Sequence, residues 1–101
     1  MFDKVKKFLH TFIHATGNQI DEVTTMNPTS RDDFLFTENH RSTQIYAELL
    51  TGNPDRLIDG SSIMKWLPPH ENEPLTQEDR ERILQKVSLY FDRFNETYEI
   101  V

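Results

Sequence analysis

Glu48, Asp55 and Asp59 are the acids nearest the segments of this chain that read as sheet core. A pair of carboxylates so placed is raw material for general acid–base catalysis. Such work also needs a substrate-sized cleft and a carboxylate displaced from its ordinary pKa, and the sequence signals neither. Gly60-Ser61-Ser62 lacks the G-x-S-x-G frame and any placed His–Asp support, so a serine nucleophile is not indicated. His10 and His14 are four residues apart, a spacing at which two helical imidazoles can share a transition metal. No further ligand stands near them, and Lys7 on the same face repels a cation, so the pair reads as solvated histidines. Phosphate-loop, dinucleotide, zinc-protease and EF-hand patterns are missing. With no cysteine there is no thiolate and no disulfide. The sequence therefore predicts no catalytic residue, metal or cofactor, and the chain reads as a non-enzyme.

Recognition is the chemistry these residue types do support. Trp66 is the lone tryptophan, and it precedes the rigid Pro68-Pro69 pair. It reads either as a binding hot spot or as a core anchor beneath the last helix. His70, Glu71 and Glu73 form an acidic loop held between prolines, a shape that costs little entropy to fix on binding. Asp55, in the strong turn Gly52-Asn53-Pro54-Asp55, and Asp59 at a strand end could extend that surface. The candidate partner-binding residues are therefore Asp55, Asp59, Trp66, His70, Glu71 and Glu73.

The elements that must carry them follow from periodicity. Over residues 2–16, Val5, Phe8, Leu9, Phe12 and Ile13 fall at i, i+3, i+4, i+7, i+8, which predicts an amphipathic helix stopped by Gly17-Asn18. Its stripe suits packing on the chain's own sheet; lying on a membrane surface is the alternative. Ile20 to Met26 predicts a short edge strand. FLFTE and TQIYAELL predict a hairpin around Asn39–Ser42, with Phe34 and Phe36 on one face, and with Ile45 and Ala47 opposite in side to Tyr46 and Glu48. Residues 56–67 predict a strand broken at Asp59-Gly60 and ended by Pro68-Pro69. Thr76 caps a helix, with Asp79 as the reciprocal partner of a capping box. Ile83, Leu84, Val87, Tyr90, Phe91 and Phe94 form its apolar stripe, and Tyr98 to Val101 predicts a terminal strand.

A chain of 101 residues is one domain, here a helix over residues 1–17 and a sheet-plus-helix core over residues 34–101. The expected class is α+β: a mainly antiparallel sheet of four to five short strands packed by a C-terminal helix, with the N-terminal helix adjoining. The net charge of −6 is uneven, because residues 19–101 hold eight basic and sixteen acidic side chains. Such a body repels nucleic acid and anionic lipid and attracts basic surfaces. Neither a signal peptide nor a membrane-length apolar run is legible, and the expectation is a cytoplasmic protein.

Ser61-Ser62-Ile63-Met64-Lys65-Trp66-Leu67-Pro68-Pro69, followed by Glu73-Pro74-Leu75-Thr76 and then Glu78-x-Arg80-x-x-Ile83-Leu84, resembles immunity proteins of bacterial polymorphic toxin systems. In particular it is similar to the immunity protein 74 family, over roughly Phe34 to Val101. The resemblance implies a protein that binds a cognate toxin effector and neutralises it, with no catalytic residues to carry over. An acidic inhibitor suits a toxin with a basic, nucleic-acid-binding cleft, such as a nuclease. The alternative is a non-catalytic adaptor or regulatory module, membrane-associated through its N-terminal helix.

Overall fold

The computed structural model describes residues 18–101; the helix expected over residues 1–17, with its His10–His14 pair, lies outside them. The described residues form strands β1 (Gln19–Asp21), β2 (Thr24–Pro28), β3 (Asp33–Glu38), β4 (Arg41–Leu49), β5 (Arg56–Asp59) and β6 (Tyr98–Ile100). One α-helix, α1 (Gln77–Arg93), lies between β5 and β6. The strands neighbour one another in chain order, and the sheet curls into a half-barrel.

Two expectations about the sheet are corrected. It has six strands rather than four or five. The segment read as one edge strand folds as two, because Asp21 reverses the chain: its carboxylate accepts a hydrogen bond from the Val23 N–H at 3.0 Å, the geometry of an Asx turn. β2 then returns along β1 with Gln19 opposite Thr25 and Asp21 opposite Thr24, the register shifting between them. The sheet is also mixed. β6 runs parallel to β5, with Arg56 opposite Tyr98 and Ile58 opposite Ile100. Parallel neighbours require a long crossover, and the stretch carrying α1 supplies it.

The hairpin turn is tighter than expected. Asn39 and His40 both take positive φ, 50° and 70°, as a two-residue turn between twisted strands demands. Arg41 and Ser42 consequently begin β4. Beyond β5 the chain makes a single 3-10 turn at Gly60–Ser62, where the sequence places its break. It then runs down the rest of β4. The Tyr46 N–H donates to Ser62 Oγ at 3.2 Å and the Leu67 N–H to the Ser42 carbonyl at 2.8 Å. This descent drops Ile63 and Trp66 into the core.

One face of the sheet is dry. Met26, Phe34, Phe36, Ile45, Ala47 and Ile58 alternate along four strands and are buried against Ile83, Val87, Tyr90 and Phe91 of α1. Phe34, Tyr90 and Phe91 meet edge to face, with ring centroids 5.3–5.9 Å apart, the arrangement their quadrupoles favour. The α1 N-terminus carries the expected capping box. Thr76 Oγ1 accepts from the Asp79 N–H at 3.1 Å, and Asp79 Oδ2 accepts from the Thr76 N–H at 2.9 Å.

Candidate functional site

The acidic loop begins at the Pro68-Pro69 pair. The His70 N–H donates to the Leu67 carbonyl at 2.9 Å and the Glu73 N–H to the His70 carbonyl at 3.0 Å, so two successive turns fix its course. Glu71 projects freely, and Glu73 accepts from Arg41 Nη1 at 3.1 Å. The same guanidinium lies 4.2 Å from the centre of the Trp66 ring. Trp66 is completely buried, so it presents no surface of its own and acts as the floor on which Arg41 rests. Stacking on an indole face suits a flat, weakly hydrated cation. The result is a column of ring, guanidinium and carboxylate that anchors one end of the loop.

Asp55 and Asp59 sit elsewhere. Asp55 Oδ2 accepts from the Thr97 N–H at 2.9 Å, while the Asp55 N–H donates to Thr97 Oγ1 at 2.9 Å. This reciprocal pair ties the entrance of β5 to that of β6. Asp59 Oδ1 accepts from the Ser61 N–H at 3.0 Å and from the Ser61 hydroxyl at 2.6 Å, capping the 3-10 turn. The structure therefore does not bring the six residues together. Glu73 meets Arg41 at the first residue of β4, whereas Arg56, next to Asp55, lies opposite Leu49 at its last. At about 3.3 Å of rise per residue those ends are roughly 25 Å apart.

The strongest polar cluster escaped the sequence reading. Glu38, at the end of β3, is only 2% exposed. It receives two parallel hydrogen bonds from Arg82, Nε to Oε2 at 2.9 Å and Nη2 to Oε1 at 2.7 Å. Lys86 Nζ adds a third at 2.7 Å and also reaches Thr24 Oγ1 at 2.9 Å and Asp21 at 3.0 Å. Arg82 further binds Asp79 at 3.0 Å. The Arg82 hydrogen bonds, joined by Lys86, hold the Glu38 carboxyl below its usual range despite the opposing effect of burial. Burial works against the Lys86 ammonium, yet Glu38 and Asp21 outweigh it and raise its pKa. A carboxylate saturated by three cationic donors is not a general base. This cluster is a clamp that fastens α1 to β1, β2 and β3. The i, i+4 spacing of Arg82 and Lys86 and the shared parity of Glu38 with Phe34 and Phe36 were visible in the sequence, but the partners lie 44 and 48 residues apart.

A hollow of about 340 Å³ opens at the other end of the core, lined by Phe34, Arg56, Tyr90, Phe91, Phe94 and Glu96 among others. Its charges are spent on each other. Arg56 Nε donates to Glu96 at 2.8 Å, and Nη1 donates to the carbonyls of Arg31 and Ala47 at 2.8 and 2.9 Å. Arg56 also lies 5.2 and 5.4 Å from the centres of the Phe34 and Phe91 rings. No acid–base pair remains there to act on a substrate. Among the described residues no group of three or more His, Asp or Glu could hold a metal, and no helix is long and apolar enough to cross a membrane.

What the arrangement offers is a surface rich in carboxylates, with many of its cations paired inside the fold. Residues 25–101 match the family model described as immunity protein 74. The chain belongs to the immunity protein 74 family. The match begins within β2 and takes in every later element, including the Trp66–Pro69 segment, the acidic loop and α1. Membership in the immunity protein 74 family thus covers more of the chain than the resemblance read from Phe34 onward. Comparison with curated proteins and with solved structures gives no match.

Proposed function

We propose that this protein neutralises a cognate toxin effector in the cytoplasm by binding it, without catalysing a reaction. The observation that carries this reading is membership in an immunity protein family over residues 25–101. The disposition of charge supports it. Five of the eight cationic side chains of the described residues form ion pairs: Arg31, Arg41, Arg56, Arg82 and Lys86. Cations bound within the fold leave the surplus of carboxylates facing water, where it attracts basic protein surfaces and repels nucleic acid. A toxin with a basic cleft, such as a nuclease, is the partner such a surface fits. In this proposal the acidic loop of His70, Glu71 and Glu73, anchored through the Trp66-supported Arg41, adds to the field that draws the partner in, while Asp55 and Asp59 lie elsewhere on the fold.

The test is co-expression in a bacterial host with the product of the adjoining upstream reading frame. The expected result is loss of viability when that product is made alone, rescue by this chain, and co-purification of the two as a stoichiometric complex. Rescue without a complex would contradict neutralisation by binding.

A further inference from the structure

The sheet has a second face. Leu35, Tyr46 and Leu57 alternate with the core residues and point away from α1, as do Asp33, Glu48, Asp59 and Glu99. The register assembles them. In one row Asp33 and Asp59 flank Tyr46, across β3, β4 and β5. In the next, Glu48 and Glu99 flank Leu57, across β4, β5 and β6. With strands about 4.8 Å apart, each row spans roughly 10 Å, close to one screening length at physiological salt. The four carboxylates therefore act as one field around an apolar diagonal of Tyr46 and Leu57.

We propose that this open sheet face is the surface on which the toxin docks, gripped through a patch of lysines and arginines around an apolar side chain. The inference rests on the immunity reading and names its interface. Tyr46 is 38% exposed, an amphipathic ring of the kind that dominates interface energetics. Partial burial raises the pKa of its hydroxyl, and the negative charges of Glu48, Asp32 and Asp33 raise it further. Glu48 and Glu99 have no hydrogen bond or ion pair among the described residues. Arg31 lies close enough to feel Tyr46 and Glu48, and Asp32 occupies it at 3.1 Å. A face of this make-up repels anionic lipid and nucleic acid and complements a basic protein surface. The apolar diagonal gives that partner something to bury once charge has brought it in.

The test uses the full chain and a catalytically inactive form of the product of the adjoining upstream reading frame. Affinity is measured for wild type, for Glu48→Lys with Glu99→Lys, for Tyr46→Ala, and for Glu71→Lys with Glu73→Lys on the separate acidic loop. Thermal melts and size-exclusion chromatography of each variant accompany the titrations. At about 0.15 M salt, where steering by the loop charges is screened, dissociation constants at least tenfold higher for both sheet-face variants, with unchanged melts and a smaller change for the loop variant, are expected. Normal binding by both sheet-face variants overturns the docking face and leaves the immunity reading standing. The docking face is equally overturned if those variants bind normally but melt earlier or change oligomeric state, which would place part of this chain or a second copy on the face. If the wild type itself fails to bind, both the face and the immunity reading fall.

Discussion

Glu38 is where burial, charge and topology meet in this molecule. Its carboxylate is out of water, and three hydrogen bonds from Arg82 and Lys86 compensate for the lost hydration. Removing one member of such a group leaves the others uncompensated, so Glu38→Ala should cost on the order of 3 kcal/mol in chemical denaturation. A loss below about 1 kcal/mol would mean the clamp is screened by solvent. The pH dependence has a definite sign. The folded state holds the Glu38 carboxyl below the ordinary glutamate value of 4.5. Its contribution is therefore full above pH 4.5 and is lost as the pH falls through the lower, folded-state value. Asp79, held down by the Thr76 backbone N–H and by Arg82, acts in the same direction over a slightly more acid range. The wild type should lose stability steadily below pH 4.5, and Glu38→Gln should show a flatter acid limb on a lower plateau. Equal acid slopes for the two proteins would place the titrating group elsewhere. Alternation with Phe34 and Phe36 places Glu38 on the inward face of its strand, but nothing local shows what would compensate a carboxylate there. Its burial is decided by what α1 brings back to it from more than forty residues away.

Helix α1 is the element the sequence described best, because everything that defines it is local. Its stripe repeats at helical spacing and its first turn contains both halves of the capping box. Of that stripe Ile83, Val87, Tyr90 and Phe91 are buried, while Phe94, beyond the last turn, is 44% exposed. Phe91 sits mid-stripe at 1% exposure, between the rings of Phe34, Tyr90 and Tyr98. Phe91→Ala should cost about 3–5 kcal/mol, most of what a domain this size commands. Urea titration followed by Trp66 fluorescence would show it; a midpoint unchanged from wild type would put the ring outside the core. The β3–β4 hairpin was legible for the same reason, since alternation fixed which residues face inward. Strand direction was not. β6 is parallel to β5 because a helix intervenes, and period-two alternation reads the same in either direction. The split between β1 and β2 depends on one Asp21 side chain capping one N–H, too small a signal to interrupt a run of β-prone residues. The candidate surface fared likewise. The sequence marked the acids, but only the register shows that Asp59 faces Tyr46 on the open side, while Asp55 is spent on Thr97.

For the whole molecule, charge and fold divide the labour. Cations are drawn into ion pairs and carbonyl contacts that hold the helix to the sheet, so residues 19–101, with eight basic and sixteen acidic side chains, show their net −8 mainly at the surface. A field of that sign reaches about 30 Å at 0.01 M salt and about 8 Å at 0.15 M. It should orient a basic partner before contact and contribute little once the two surfaces touch. The acidic loop isolates this effect, because it lies near the Arg41 end of β4, away from the Glu48–Leu57–Glu99 row. Reversing Glu71 and Glu73 to Lys changes the field by four units of charge and breaks the Arg41–Glu73 pair. That pair is partly exposed, 27% and 49% for its two side chains, so its loss should cost no more than about 1 kcal/mol of stability. Association of this variant with the inactive toxin domain, followed by surface plasmon resonance, should slow about tenfold at low salt and by much less at 0.15 M, with dissociation nearly unchanged. A change confined to the dissociation rate would make the loop a part of the contact itself. Equal association rates at low salt would show that net charge does not guide the encounter.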